Sequence, residues 1–181
     1  MENKKKVIAF IQARAESERF PNKIFYKVNN LSLIEILIKR LKKSKYIKKI
    51  VILSYKSDLN KKLIPIVKKN NCEIFFGSKE NVLRRFFFAS KKYGDFYQIL
   101  RITGDCTLSD SKLIDDIILH HTKANSDFTS NVNPPTFPDG YDVEIFTKKL
   151  LIKTYKKVTS KFDQEHVTPW MKKNKKIRIS N

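Results

Sequence analysis

Six short apolar runs recur along the chain, Val7–Ile11, Ile50–Leu53, Ile74–Phe76, Ile99–Ile102, Phe128–Ser130 and Tyr141–Phe146, and most are continuous rather than alternating. A strand that is apolar at every position is covered on both faces, so such runs require a mostly parallel sheet with helices above and below. Segments with apolar residues at helical spacing lie between them: Leu33, Ile34, Leu37, Ile38 and Leu41; Val82, Leu83, Phe86, Phe87 and Tyr93; Leu113, Ile114, Ile117 and Ile118. Strand and helix alternate, and right-handed crossovers turn that order into a three-layer α/β domain. Ser32 with Glu35 three residues on reads as a capping box, and Ser78, Asp110 and Thr147 stand where later helices need N-caps. Pro65 interrupts the pattern from Asp58 to Lys69, so that helix is expected to kink or to start late. With 181 residues and no repeat, low-complexity linker or break in composition, one core is expected.

In such a sheet the ligand crevice opens at the carboxyl ends of the strands. The first strand runs directly into Gln12-Ala13-Arg14-Ala15-Glu16-Ser17-Glu18-Arg19-Phe20-Pro21-Asn22-Lys23, which delivers Arg14, Arg19 and Lys23 to that place. The familiar phosphate loops use backbone N–H groups and need glycines, and this loop has none. Phosphate binding here must rest on side chains, Arg as a rigid fork and Lys as a mobile point charge. A solvated basic loop would have the same composition.

Arg101-Ile102-Thr103-Gly104-Asp105-Cys106 places a carboxylate just past a glycine turn at the end of another expected strand. A hard carboxylate facing a cationic loop suits a Mg²⁺-nucleotide site, although an Asp that caps the next turn would look the same. Pro138-Asp139-Gly140-Tyr141-Asp142-Val143-Glu144 adds acidic residues beside a strand, with Asp142 and Glu144 on the face opposite Tyr141 and Val143. His166, in Asp163–Trp170, could move a proton or be structural, and His120 and His121 suggest nothing beyond a helix end.

The net charge of +20 invites a nucleic-acid reading. The distribution argues against it, because most of the 38 basic residues are lysines spread over polar helix faces, with no interleaved aromatics and no known nucleic-acid module. Cys72 and Cys106 have neither zinc nor disulfide spacing. The basic start followed by Val7–Ile11 imitates a signal peptide, but the apolar run is too short, and no stretch reaches transmembrane length. A cytoplasmic location is expected, with no membrane partner.

Five segments taken together resemble a known family. The loop Gln12-Ala13-Arg14 to Lys23, the stretch Gly77–Arg85, Arg101–Cys106, Pro138–Glu144 and Glu165-His166-Val167-Thr168-Pro169 are similar, in order and across nearly the whole chain, to the cytidylyltransferases of the spore-coat polysaccharide SpsF type. Those are relatives of the CMP-sialic acid and CMP-Kdo synthetases. The resemblance implies a nucleotide-diphospho-sugar transferase fold (GT-A, Rossmann-like) and transfer of CMP from CTP to a sugar, here a 3-deoxy sugar acid, for surface polysaccharide or glycan synthesis. Pyrophosphate leaves and Mg²⁺ is the cofactor. By motif position Arg14, Lys23 and Arg19 are the catalytic cations and Asp105 the metal ligand. Gln12, Ala13, Ser78, Arg101, Thr103 and Gly104 bind the nucleotide. Arg85, Asp139, Asp142, Glu144 and His166 face the acceptor, with Asp142 or Glu144 as a possible additional metal ligand. The resemblance also implies a homodimer, with an arm over residues 131–170.

The family pattern has Gly where this chain has Glu16 and Asn22, Leu at Phe20 and Pro at Thr107. Family members also continue past the His-Val-Thr-Pro segment into a further strand and helix, whose aspartate completes the metal site. One expectation is therefore an active enzyme. The other is a C-terminally truncated homologue that binds nucleotide or a partner chain without turnover.

Overall fold

In the computed structural model, which describes residues 6–16 and 20–181, the apolar run Val7–Gln12 forms β1 at the centre of the molecule. It pairs in parallel with β4 (Ile47–Ser54) on one side and β6 (Gln98–Thr103) on the other. β5 (Glu73–Phe76) extends the sheet beyond β4, again parallel. Beyond β6 come β8 (Glu144–Thr147), β7 (Phe128–Ser130) and β9 (Ile179–Ser180), giving the order β5-β4-β1-β6-β8-β7-β9. Only β8 runs against the others, pairing antiparallel with both β6 and β7. A two-residue ribbon, β2 (Lys27–Val28) with β3 (Leu31–Ser32), stands apart.

Successive β1 side chains enter opposite cores, which is why Val7–Ile11 has no polar position. Val7, Ala9 and Ile11 pack with α1 (Leu33–Leu41), α3 (Leu63–Lys69) and α5 (Ser111–Lys123). Ile8 and Phe10 pack on the other face with α4 (Val82–Lys92), α6 (Lys148–Lys157) and α8 (Pro169–Lys173). Phe10 and Phe86 are fully buried and meet edge to face at 5.7 Å. The sequence expectation of a mostly parallel, three-layer α/β domain is what the chain builds.

Local signals act largely as expected. Ser32 and Glu35 form a reciprocal capping box on α1, and Asp110 and Thr147 cap α5 and α6. The segment around Pro65 breaks into α2 (Asp58–Lys61) and α3. Two expectations are corrected. The cap of α4 is Asn81, whose side chain accepts from Arg84 N–H at 2.7 Å, because Ser78 lies one turn too early and accepts from Asn81 N–H instead. The strand expected over Tyr141–Phe146 begins only at Glu144, because the side chain of Asn131 takes over the backbone before it. Asn131 donates to the Tyr141 carbonyl at 2.8 Å and accepts from Val143 N–H at 2.9 Å, replacing a strand partner.

His121 is buried at the end of α5, where its Nδ1 bonds to Thr129 Oγ1 at 2.8 Å and its Nε2 has no partner among the described residues. Burial pushes its pKa down to about 4 against an ordinary value of 6.5. The unfolded chain thus takes up this proton at a higher pH than the folded one. The contribution to stability is complete above pH 6.5 and is lost progressively as pH falls towards about 4. Urea unfolding followed from neutral pH downward should show this decline, and His121→Asn should flatten it.

Candidate functional site

The carboxyl ends of β1 and β6, with the loop after β5 and the helix α7 (Lys161–His166), enclose a cavity of about 1110 Å³. Gln12, Ala13, Arg14, Lys23, Ser78, Arg85, Arg101, Thr103, Gly104, Asp105 and His166 all line it. Of these, Arg14 and Lys23 were expected as catalytic cations, Asp105 as the metal ligand, Arg85 and His166 at the acceptor, and the others at the nucleotide. Arg19 lies outside the described residues.

Close packing explains the geometry at the base. Gly104 N–H donates to the Gln12 carbonyl at 2.9 Å, and Ala13 N–H to the Leu53 carbonyl at 3.1 Å, so the β1 and β6 loops leave the sheet side by side. A Cβ on Gly104 would stand 3.1 Å from that of Ala13, which is why a glycine occupies the position. The loop after β1 returns through Asn22 in a left-handed conformation (φ 60°), a role Asn fills better than most residues, and Lys23–Phe25 then form one 3₁₀ turn. That turn aims Lys23 at the cavity, where its ammonium pairs with the Asp105 carboxylate. Burial alone would raise the Asp105 pKa, but Lys23 and the Thr103 hydroxyl hold it below the usual carboxylate range. Arg14 is exposed and opens on the same cavity.

Arg101 is held rigidly. Its Nε and one terminal nitrogen donate to Gln12 Oε1 at 3.2 and 2.9 Å, and the other donates to Glu144 Oε2 at 2.5 Å. Glu144 is buried and also pairs through Oε1 with Lys172 at 2.6 Å, accepting from the Thr168 hydroxyl at 3.0 Å. Burial would push its carboxyl up, yet Arg101 and Lys172 hold it below its usual range. Glu144 was expected at the acceptor or as an added metal ligand. Both of its oxygens are instead committed inside the protein, because the antiparallel register sets it directly opposite Arg101.

Arg85, also expected at the acceptor, is 3 % exposed, and its guanidinium donates to the carbonyls of Ser78 (2.9 and 2.6 Å) and Lys79 (3.1 Å). It shapes the 77–81 loop from beneath. A Cβ on Gly77 would lie 2.8 Å from Arg85 Cγ, so glycine lets the two approach. Burial, with the Arg14 charge nearby, pushes the Arg85 pKa down to about 10.

Asp139 and Asp142 do not line the cavity. Asp139 is exposed and accepts from Gly140 N–H, while Asp142 is half-buried, its carboxyl pushed up by burial and by the charges of Asp139, Glu144 and Asp105. His166 does reach the cavity, beside the Phe162 ring at 4.5 Å. The chain then turns through Val167 at φ 71° and ψ −53°, a strained γ-turn closed by Thr168 N–H to the His166 carbonyl at 2.8 Å. That turn sends His166 to the cavity and Thr168 to Glu144.

Lys79, Asn81, Arg84, Lys161, Gln164 and Glu165 line the cavity without having been singled out as site residues. Lys79, Asn81, Arg84 and Glu165 fall within the segments that carry the family resemblance, whereas nothing at the sequence level marks Lys161 and Gln164. The packing of α4 against α7 brings the two stretches to one wall of the cavity. The lining cations are Arg14, Lys23, Lys79, Arg84, Arg85, Arg101 and Lys161, against the carboxylates of Glu80, Asp105 and Glu165. A cavity with that balance attracts polyanions.

Comparison with known proteins shows the family. The profile of the family described as Cytidylyltransferase matches residues 8–179. The chain belongs to the cytidylyltransferase family. It is 37% identical over 170 residues to an uncharacterized protein of Methanocaldococcus jannaschii, covering 93% of this chain and 68% of that one. It is 30% identical over 172 residues to the spore coat polysaccharide biosynthesis protein SpsF of Bacillus subtilis, covering 92% and 70%. Among solved structures, a cytidylyltransferase from Leptospira borgpetersenii superposes with a TM-score of 0.89 at 34% identity, over 96% of this chain and 74% of the other. The resemblance read from five segments is thus a family membership that spans nearly the whole chain, and the mostly parallel sheet is that of the cytidylyltransferase fold.

Proposed function

We propose that this cytidylyltransferase moves CMP from CTP to a hydroxyl of a sugar, with a 3-deoxy sugar acid as the acceptor class, releasing pyrophosphate. The observation that carries the proposal is the convergence of Arg14, Lys23 and Asp105 on one cavity at the ends of β1 and β6, within an excess of lining cations. In nucleotidyl transfer the acceptor oxygen bonds to the α-phosphorus as the bond to the β-phosphate oxygen breaks. Negative charge grows on the α-phosphate oxygens and the leaving pyrophosphate, and preorganised cations stabilise it. Arg14 offers a bidentate fork to these oxygens, and Lys23 a point charge that can leave Asp105 for them. Lys161 on the α7 wall supplies positive charge for an acceptor carboxylate, and His166 stands on the same wall as a hydrogen-bonding group.

Mg²⁺ fits the residues present in one way. Among the described residues no group of three His, Cys, Asp or Glu side chains stands close enough to hold a metal. The ion commonly takes only one or two protein carboxylates and completes its shell with water and substrate phosphates, and Asp105 at the cavity can be that carboxylate. Bound there, Mg²⁺ would screen the triphosphate charge, and Lys23 would be released from its ion pair.

The SpsF relative's name supports a role in surface polysaccharide synthesis, and we place the chain in the cytoplasm, where nucleoside triphosphates are made. None of the described helices is long and apolar enough to cross a membrane. Homodimerisation through residues 131–170 belongs to the same reading and is supported by the exposed Phe137 and Phe162 in that stretch. Isothermal titration with CTP tests the nucleotide half of the proposal. Micromolar binding that needs Mg²⁺ and outcompetes UTP is expected, whereas equal binding of UTP or indifference to Mg²⁺ would overturn it.

A further inference from the structure

The loop after β1 carries a carboxylate, Glu16, two residues beyond Arg14. A free negative charge at that place would oppose a triphosphate and compete with it for the arginine. The carboxylate is not left free. Glu16 Oε2 accepts the hydroxyl hydrogen of Tyr55, a residue 4% exposed in the loop that follows β4. The Tyr55 ring is in turn faced by Lys79 Nζ at 5.4 Å and by the Arg85 guanidinium at 5.7 Å. Both of those cations line the cavity, and Glu16 does not.

A second clamp acts on the neighbouring residue. Ala15 N–H donates to Asn60 Oδ1 at 2.8 Å, and Asn60 Nδ2 donates to the Tyr55 carbonyl at 3.1 Å, with Asn60 fully buried. Tyr55 in the loop after β4 and Asn60 on α2 therefore hold the glycine-free loop after β1 at two successive positions. Asn60 fixes the backbone, which leaves the Glu16 side chain to be directed by Tyr55.

We propose that Tyr55 is a positioning residue that draws the Glu16 carboxylate away from the cavity and thereby sets the affinity of the site for a nucleoside triphosphate. The inference rests on the reading that the cavity binds CTP. Without the hydroxyl, Glu16 loses this donor and is free to turn to Arg14, two residues before it, which then has less to offer the phosphates. Tyr55→Phe is the suitable variant, because the ring keeps its packing and its contacts with Lys79 and Arg85.

The test is a double-mutant cycle read by calorimetric titration of CTP with Mg²⁺ into the unaltered chain, Tyr55→Phe, Glu16→Gln and the double variant. Thermal melts check that each is folded. The expected result is a Kd raised about tenfold in Tyr55→Phe, the order of effect when a carboxylate competes with the phosphates for Arg14. Glu16→Gln binds at least as tightly as the unaltered chain, and the double variant binds like Glu16→Gln. A Tyr55→Phe variant that binds CTP like the unaltered chain overturns the inference. So does a double variant that keeps the loss, since the hydroxyl then acts without the carboxylate. Failure of the unaltered chain to bind CTP overturns the nucleotide reading itself, and this inference with it.

Discussion

Lys23→Ala is expected to lower kcat about 10²–10³-fold while changing Tm by little, and Asp105→Ala to do the same. The contrast follows from where the pair sits. Both side chains remain partly exposed, 29% and 39%, and an ion pair in that setting contributes under about 1 kcal/mol to folding. In the proposed reaction the same groups would face charge growing on the α-phosphate and the leaving pyrophosphate, where a preorganised cation is worth far more than in an exposed pair. Lys23 would lose its point charge there, and Asp105 its hold on the metal. Steady-state kinetics with CTP and thermal melts of the same preparations check the split. A variant that unfolds and loses activity in proportion would assign the pair a structural role, and one that keeps kcat within a few-fold would remove it from the chemistry.

Glu144→Ala is expected to act in the opposite way, destabilising the fold first. The carboxylate is 4% exposed and pairs with both Arg101 and Lys172. Removing one member of a buried ion cluster leaves the others charged and uncompensated, at a cost of about 3–5 kcal/mol, which in a domain of this size lowers Tm by roughly 10–15 °C. Glu144→Gln keeps the shape and the bond from Thr168 but not the charge, so a large loss in that variant too assigns the effect to electrostatics rather than to a cavity. Any fall in CTP affinity should follow from Arg101 letting go of Gln12 at the mouth of the phosphate loop. Chemical denaturation measures the first effect and nucleotide titration the second. A stability change under about 1 kcal/mol would contradict this account of the cluster.

What could be read from the sequence and what could not follows from how local each signal is. β1 and α4 were legible because a continuous apolar run and a helical spacing each state their own burial. The loop from Arg14 to Lys23 was legible because the end of a first strand is a fixed address in an α/β sheet. Glu144 was not, because its role depends on a register that sets it opposite Arg101 across 43 residues of sequence. Arg85 was expected at the acceptor, and only the folded 77–81 loop shows its guanidinium occupied by backbone carbonyls. The missing start of β8 came from a single side chain, Asn131, outbidding a strand partner for the backbone. Tyr55 and Asn60 carried no signal at all, because a phenol and an amide that brace a neighbouring loop look like any others in a polar turn.

The measurement that bears most directly on the central claim is pyrophosphate release by the purified chain given CTP, Mg²⁺ and a panel of 3-deoxy sugar acids. The account predicts release that requires CTP, the metal and one class of acceptor together, and that falls away in Lys23→Ala and Asp105→Ala. Release that persists undiminished in both variants, or CTP bound in the cavity without turnover for any sugar acid, would contradict it.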